Sequence, residues 1–167
     1  MAATYDWSKF MLRIDIQASK EAIYDAWTSP EIIDLWFLRK LTMQNSNGIE
    51  KDCFGKFEPG DTYQWWWYGH SDEIMETGTI IEANGSDSMA FTFGKAGDCY
   101  ISIYEEMGEN ILELRQLNIP TDEQSMHEFH LGCKVGWSFF LANLKSILEG
   151  GSDLRNKNEN LKRMANS

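Results

Sequence analysis

Leu12, Ile14 and Ile16 alternate with Arg13, Asp15 and Gln17, the period-two pattern of a half-buried strand. Ser19 follows where it can cap a helix, and Ile23, Ala26 and Trp27 recur at helical spacing. Ser29-Pro30-Glu31 then restarts the chain. Ser caps, Pro fits the first helical position, where its missing N–H costs nothing, and Glu suits the positive end of a helix. Ile32, Ile33, Leu35 and Trp36 are the expected buried side of this short second helix.

The pattern weakens between residues 41 and 57. Asn45-Ser46-Asn47-Gly48 reads as a turn flanked by short strands. After a second turn at Pro59-Gly60-Asp61, Tyr63, Trp65 and Trp67 fall on one strand face, and Gln64, Trp66 and Tyr68 on the other. Glu73–Ala83, Ser88–Phe93, Cys99–Glu105 and Ile111–Asn118 also read as strands. Asn84-Gly85, Gly94–Gly97 and Gly108–Asn110 supply turns short enough for an antiparallel meander. Beyond Pro120, Thr121 and Gln124 have capping-box spacing. Cys133, Trp137, Phe140, Leu141, Leu144 and Leu148 then form an apolar helical stripe, closed by Gly150-Gly151. This order predicts an α+β fold: a curved antiparallel sheet around one long C-terminal helix, with two short helices after the first strand. One domain is expected over residues 1–155, followed by a polar tail, 156–167, that is frayed or loosely helical.

The length of 167 residues suits a single core of reasonable size. No apolar run is long enough to span a membrane, and MAATYDWSKF lacks the basic and apolar regions of a secretory leader. Cys53, Cys99 and Cys133 are scattered and odd in number, as expected of free thiols in a reducing cytoplasm. The net charge of −11 argues against nucleic acid and against an anionic membrane surface.

The aromatic residues are the strongest chemical signal. Tyr63, Trp65 and Trp67, with Trp36, Phe91, Phe93 and Trp137, either line a pocket between sheet and helix or fill that space as core. Trp66 and Tyr68, on the other face, are placed to form an exposed patch for a homodimer or a protein partner. Gln116 has inward parity and is the expected polar anchor, whereas Glu113 and Arg115 face away. His127 and His130 are three apart, but no further ligand accompanies them and HExxH spacing is absent. No metal or cofactor is therefore expected, and His130 is assigned to the pocket mouth. Gly132 and Gly136 either let the long helix approach the sheet or leave room for a ligand. No nucleophile motif, phosphate loop or dinucleotide fingerprint is present, so no catalytic residue is assigned.

Several of these pieces, taken in order, resemble the activator-of-Hsp90-ATPase-homologue-like family. They are Ala18-Ser19-Lys20-Glu21-Ala22-Ile23-Tyr24-Asp25-Ala26-Trp27, Ser29-Pro30-Glu31 with Trp36-Phe37, and Pro59-Gly60 before an aromatic strand. Thr77–Glu82, Phe91-Thr92-Phe93 and Gly136-Trp137 through Leu154-Arg155 complete the set. That family belongs to the START-like, birch-pollen-allergen-like superfamily, and the resemblance implies its helix-grip fold. It implies three kinds of function. The first is non-catalytic binding of a hydrophobic small molecule in the sheet–helix cavity. The others are cyclase- or hydrolase-like chemistry on a polyketide-like substrate, and a co-chaperone-like interaction module. The chain departs from the family's pattern in the bulk of Thr62–Tyr68, which argues against a large open cavity. It also carries Gln116 where members often have His, which argues against acid–base work. Binding is thus the expected function.

Overall fold

The computed structural model describes residues 4–167; residues 1–3, part of the stretch read above for a leader, lie outside the described residues. The chain runs β1 (Phe10–Asp15), α1 (Lys20–Thr28), α2 (Pro30–Trp36), β2 (Lys40–Gln44), β3 (Thr62–Trp66), β4 (Glu76–Ala83), β5 (Ser88–Thr92), β6 (Asp98–Glu106) and β7 (Glu109–Leu117). A short α3 (Glu123–Ser125), a π-helical stretch (Met126–Leu131) and α4 (Gly132–Leu148) then follow without a break. The seven strands form one sheet in the order β1-β7-β6-β5-β4-β3-β2, with every neighbouring pair antiparallel. This is the curved sheet and long C-terminal helix of the helix-grip fold.

Alternation along each strand decides what faces the helix. Phe10 opposes Gln116, Gln116 opposes Cys99, Cys99 opposes Phe91, and Phe91 opposes Ile80. All five are buried, so a single inward row crosses five strands. Trp65 and Tyr63 continue this inner surface on β3. Tyr63 lies opposite Gly78, and its ring occupies the space where a side chain on Gly78 would stand. From there its hydroxyl donates to the Thr92 carbonyl oxygen at 2.5 Å. Leu141 and Leu144 of α4 bury against this floor.

Local chemistry sets the helix ends. The Ser19 hydroxyl accepts from the Ala22 N–H at 3.1 Å, as its position predicts. Ser29 precedes α2 but makes no side-chain cap, so Pro30 at the first turn is the effective start signal there. The long helix is capped by Asp122 rather than Thr121. The Asp122 carboxylate accepts from both the N–H and the hydroxyl of Ser125.

Other expectations need correction. Leu35 is exposed, because the α2 face toward the core is complete with Ile33 and Trp36. β4 begins at Glu76 rather than Glu73, and residues after the Asn45–Gly48 turn contribute only an isolated bridge between Gln44 and Glu50. That loop is held instead by Lys51, whose ammonium group lies 2.7 Å from the buried Asp61 carboxylate and 3.0 Å from Glu58.

Residues 156–167 are neither helical nor free of the body. Arg155 buries its guanidinium and donates to the carbonyls of Leu38 and Asp34 and to the Asp153 carboxylate. Asn143 of α4 donates to the Trp36 carbonyl and accepts from the Leu154 N–H, both at 2.7 Å. Farther on, Asn166 donates to the Leu154 carbonyl, and Ser167 packs against Gly69. Among the described residues, no helix is long and apolar enough to cross a membrane.

Candidate functional site

The space between sheet and helix divides into a filled inner half and an open outer half. Trp36, Tyr63, Trp65 and Phe91 belong to the inner half, and each is 2 % exposed or less. Trp27 adds a ring that lies edge-on to Trp36 at 4.9 Å and stacks on Phe91 at 6.3 Å. The Trp36 Nε1 donates to the Ala26 carbonyl at 2.8 Å, which locks that indole between α1 and α2. These rings are core, and none of the four sequence-predicted residues among them borders the pocket described next.

At the outer half, a cavity of about 260 Å³ opens beside α4. Trp67 and Phe93 form its sheet side, and Trp137 and Phe140 its helix side. Phe37 closes the floor, stacked on Trp137 at 5.1 Å. Gly132, Cys133 and Gly136 provide the helix surface between the rings. A side chain added at Gly136 would meet nothing within 4 Å, so this glycine leaves space rather than permitting close packing. Three of the expected wall residues, Trp67, Phe93 and Trp137, therefore meet at one pocket. Phe37, Phe140 and Cys133 were not assigned to it from the sequence, although the helical stripe already contained the last two.

Gln116 is fully buried and fully engaged. Its amide nitrogen donates to the Ala96 carbonyl at 2.8 Å, and its oxygen accepts from the Trp137 indole at 2.9 Å. It holds the pocket's Trp137 in place instead of presenting a free polar group to a ligand. His130 is also buried, but on the side of the helix toward the N-terminal segment. Its Nε2 lies 2.8 Å from the Tyr5 hydroxyl and its Nδ1 2.9 Å from the Trp7 carbonyl, with Tyr5, Trp7 and Phe10 packed around the ring. The pocket-mouth assignment of His130 is thus overturned. The physical reason is the π-helical stretch, where each turn takes more residues than an α-helix and rotates the following faces. His127 is exposed, so the two imidazoles do not share a site. Among the described residues, no group of three or more His, Cys, Asp or Glu side chains is arranged to hold a metal.

Trp66 and Tyr68 do not form the exposed aromatic patch. Trp66 is buried, donates to the Asp72 carbonyl at 3.0 Å and lies beneath the Lys40 ammonium at 4.7 Å. Tyr68 is half-buried under Arg155 and Lys157. Parity placed both rings on the outer face correctly, but distant side chains cover that face.

The charged groups near the pocket are acidic. Glu128 lines it, and His70 is the one basic side chain among the described lining residues. Glu76 stands opposite Trp65 and therefore points to the same inner face. Its carboxylate lies over Gly94, next to the wall residue Phe93. Burial raises the Glu76 carboxyl above the usual range, opposed by a hydrogen bond from the Thr77 N–H. Burial also raises the Cys133 thiol, a contact with Gln116 opposes this, and the Glu76 charge adds to it. Burial pushes the Cys99 thiol well up as well. Both thiols are thereby kept protonated, the weakly nucleophilic form.

The profile of the family described as "Activator of Hsp90 ATPase homolog 1-like protein" matches residues 17–149. No curated protein matches the sequence. Among solved structures, the Aha1 dimer from Colwellia psychrerythraea is similar, at 16% identity and a TM-score of 0.64, over 86% of this chain and 98% of that one. A protein from Staphylococcus saprophyticus is 21% identical with a TM-score of 0.66, over 88% of this chain and 96% of its own. DynU16, a protein of the dynemicin biosynthetic locus, is 17% identical with a TM-score of 0.66, over 90% of this chain and 50% of its own. At such identities the neighbours speak for the fold alone. The family match spans most of the chain, and the chain belongs to the Activator of Hsp90 ATPase homolog 1-like family.

Proposed function

We propose that the protein binds a small molecule with a hydrophobic body, without catalysis, in the pocket bounded by Phe37, Trp67, Phe93, Trp137 and Phe140. The observation that carries this reading is Gly136. A glycine inside a helix costs roughly 1 kcal/mol relative to alanine. Here it faces open space lined by aromatic rings, where close helix packing gives no return for that cost. Small-molecule sites are typically concave and apolar with few polar groups. The pocket's volume lies just below the range of about 300–1,000 Å³ usual for drug-sized ligands, so the occupant has one or two rings rather than a long acyl chain. The free cysteines fit a reducing cytoplasm as the compartment of action.

An enzymatic reading has less support. DynU16 comes from a biosynthetic locus, but here Gln116 is tied up and the pocket thiol is protonated. A co-chaperone-like reading through Trp66 and Tyr68 loses its surface, because both rings are covered.

The test is a titration of small aromatic probes followed by tryptophan emission, with Gly136→Leu as the control variant. The parent should respond saturably. The variant should lose at least about tenfold in affinity while melting no lower than the parent, since leucine fills the space and is the better helix former. A parent that shows no saturable response to any one- or two-ring probe would refute the proposal.

A further inference from the structure

We propose that this pocket selects a small aromatic ligand bearing a positive charge, such as an arylalkyl ammonium, over neutral or anionic ligands of the same shape. The inference rests on the binding reading above and adds the ligand's charge. Three independent features of the site converge on it. First, the walls are aromatic rings: Trp67, Phe93, Trp137 and Phe140, with Phe37 stacked on both Trp36 and Trp137 at the floor. Aromatic faces attract cations through the negative charge of the π system, most strongly where water is excluded. Second, the fixed charge beside those rings is negative. Glu128 lines the pocket, and Glu76 points to the same inner face as Trp65, with its carboxylate over Gly94, the residue after Phe93. Glu76 has no salt-bridge partner among the described residues, and its carboxylate accepts only from the neighbouring Thr77 N–H. Third, no lysine or arginine lines the pocket among the described residues. Apart from the His70 imidazole, a carboxylate ligand would enter with nothing to pair its charge, a costly arrangement in a partly dry site.

The chemistry also assigns separate roles to the parts of the site. The rings and the Gly136 space hold the flat body of the ligand. Glu128 meets an ammonium group at the opening, where charge pairing is partly screened. Glu76 acts through a short stretch of protein and raises the local negative potential. Its contribution requires no direct contact.

The experiment uses three probes with one naphthalene body: 2-naphthylmethylammonium, 2-naphthalenemethanol and 2-naphthoate. Binding is measured by calorimetry at about 0.15 M salt, where charges beyond about 8 Å are largely screened. The pH is held near 8, above the ordinary histidine range. The ammonium probe should bind about tenfold more tightly than the alcohol, in keeping with a desolvated cation–aromatic site, and the carboxylate should be weakest. Glu128→Gln and Glu76→Gln should each narrow the ammonium-to-alcohol ratio severalfold, with the alcohol's own affinity unchanged. Glu105→Gln, an exposed carboxylate on β6, should leave the ratio as it is and so separates local charge from the net charge of −11. Gly136→Leu should weaken all three probes together. If the probes bind equally, if the carboxylate binds best, or if neither pocket glutamate alters the ratio, the charge preference is wrong and the pocket itself stands. If none of the three binds, the binding reading and the preference fall together.

Discussion

The two halves of the sheet–helix space are built from the same kinds of residue and come out differently. Trp27, Trp36, Trp65 and Phe91 leave no room in the inner half, whereas Trp67, Phe93 and Trp137 surround a cavity in the outer half. The difference lies on the facing helix. Toward the inner rings, α4 offers Trp137, whose ring lies 5.7 Å from Trp27 and 6.3 Å from Phe91, and Leu141 and Leu144 are buried in the same core. Opposite the outer rings, it offers Gly132, Cys133 and Gly136. An aromatic cluster is thus neither core nor pocket by its own composition; the bulk of the element packed against it decides.

The largest effect that would break this contrast is expected at Leu144. Leu144→Asp puts an unpaired carboxylate into the filled half, at a cost of several kcal/mol against a typical total stability of about 5–15 kcal/mol. The variant should be unfolded or nearly so by circular dichroism. A cooperative melt close to the parent's would mean that the inner half is wetter and looser than described.

A paired comparison of two tryptophans sharpens the contrast further. Trp65→Ala should lose about 3–5 kcal/mol in denaturant unfolding, as expected when a fully buried ring leaves a cavity. Trp67→Ala should lose only about 1 kcal/mol, yet should abolish the probe response of the pocket. Equal losses at the two positions would erase the distinction between the halves.

Gln116→Leu should cost about 1–3 kcal/mol, because the Trp137 N–H and the Ala96 carbonyl lose their buried partner. It should also loosen the orientation of Trp137, read as a changed near-ultraviolet circular dichroism signal. A destabilised variant with an unaltered aromatic signal would show that Trp137 is held by packing alone.

The smallest expected effect is on pH dependence. The Glu76 carboxyl is raised by burial, so it holds its proton more tightly in the folded state. Its contribution makes stability fall as pH rises from about 4.3, the ordinary glutamate value, through the higher folded value. Glu76→Gln should remove that part of the slope and melt slightly higher than the parent at neutral pH. An unchanged pH profile would place the Glu76 carboxylate in full contact with solvent.

Much of the fold was legible because it depends on local periodicity. The alternation in β1 and β3, the Ser19 cap, the turns and the apolar stripe of the long helix are all set by near neighbours. Tyr63, Trp65 and Gln116 were placed on the correct face for the same reason. The misplacements have long-range causes. Alternation along β3 does not announce that Lys40, paired across the sheet, will lie over Trp66, or that the Asp72 carbonyl will take its indole N–H. His130 lies in a π-helical stretch, which the residue pattern does not announce, and its ring packs among Tyr5, Trp7 and Phe10, more than a hundred residues away in the chain. Glu76 escaped notice because it sits at the start of β4, where the sequence pattern gives no frame for its parity; only pairing with Trp65 turns it inward. The split into filled and open halves was legible only as two open alternatives, since it depends on which rings meet a side chain of the long helix and which meet a glycine.

The pairing of β1 with β7 also fixes an order of assembly. Phe10 and Gln116 meet across roughly a hundred residues of intervening chain, so this ladder carries the heaviest loop-closure cost in the sheet. The hairpins from β4 to β7 need far shorter closures. During synthesis the first strand emerges early but has no sheet partner until Glu109–Leu117 has followed. For that interval Phe10 and Ile16, both destined for burial, remain exposed to the surrounding solution.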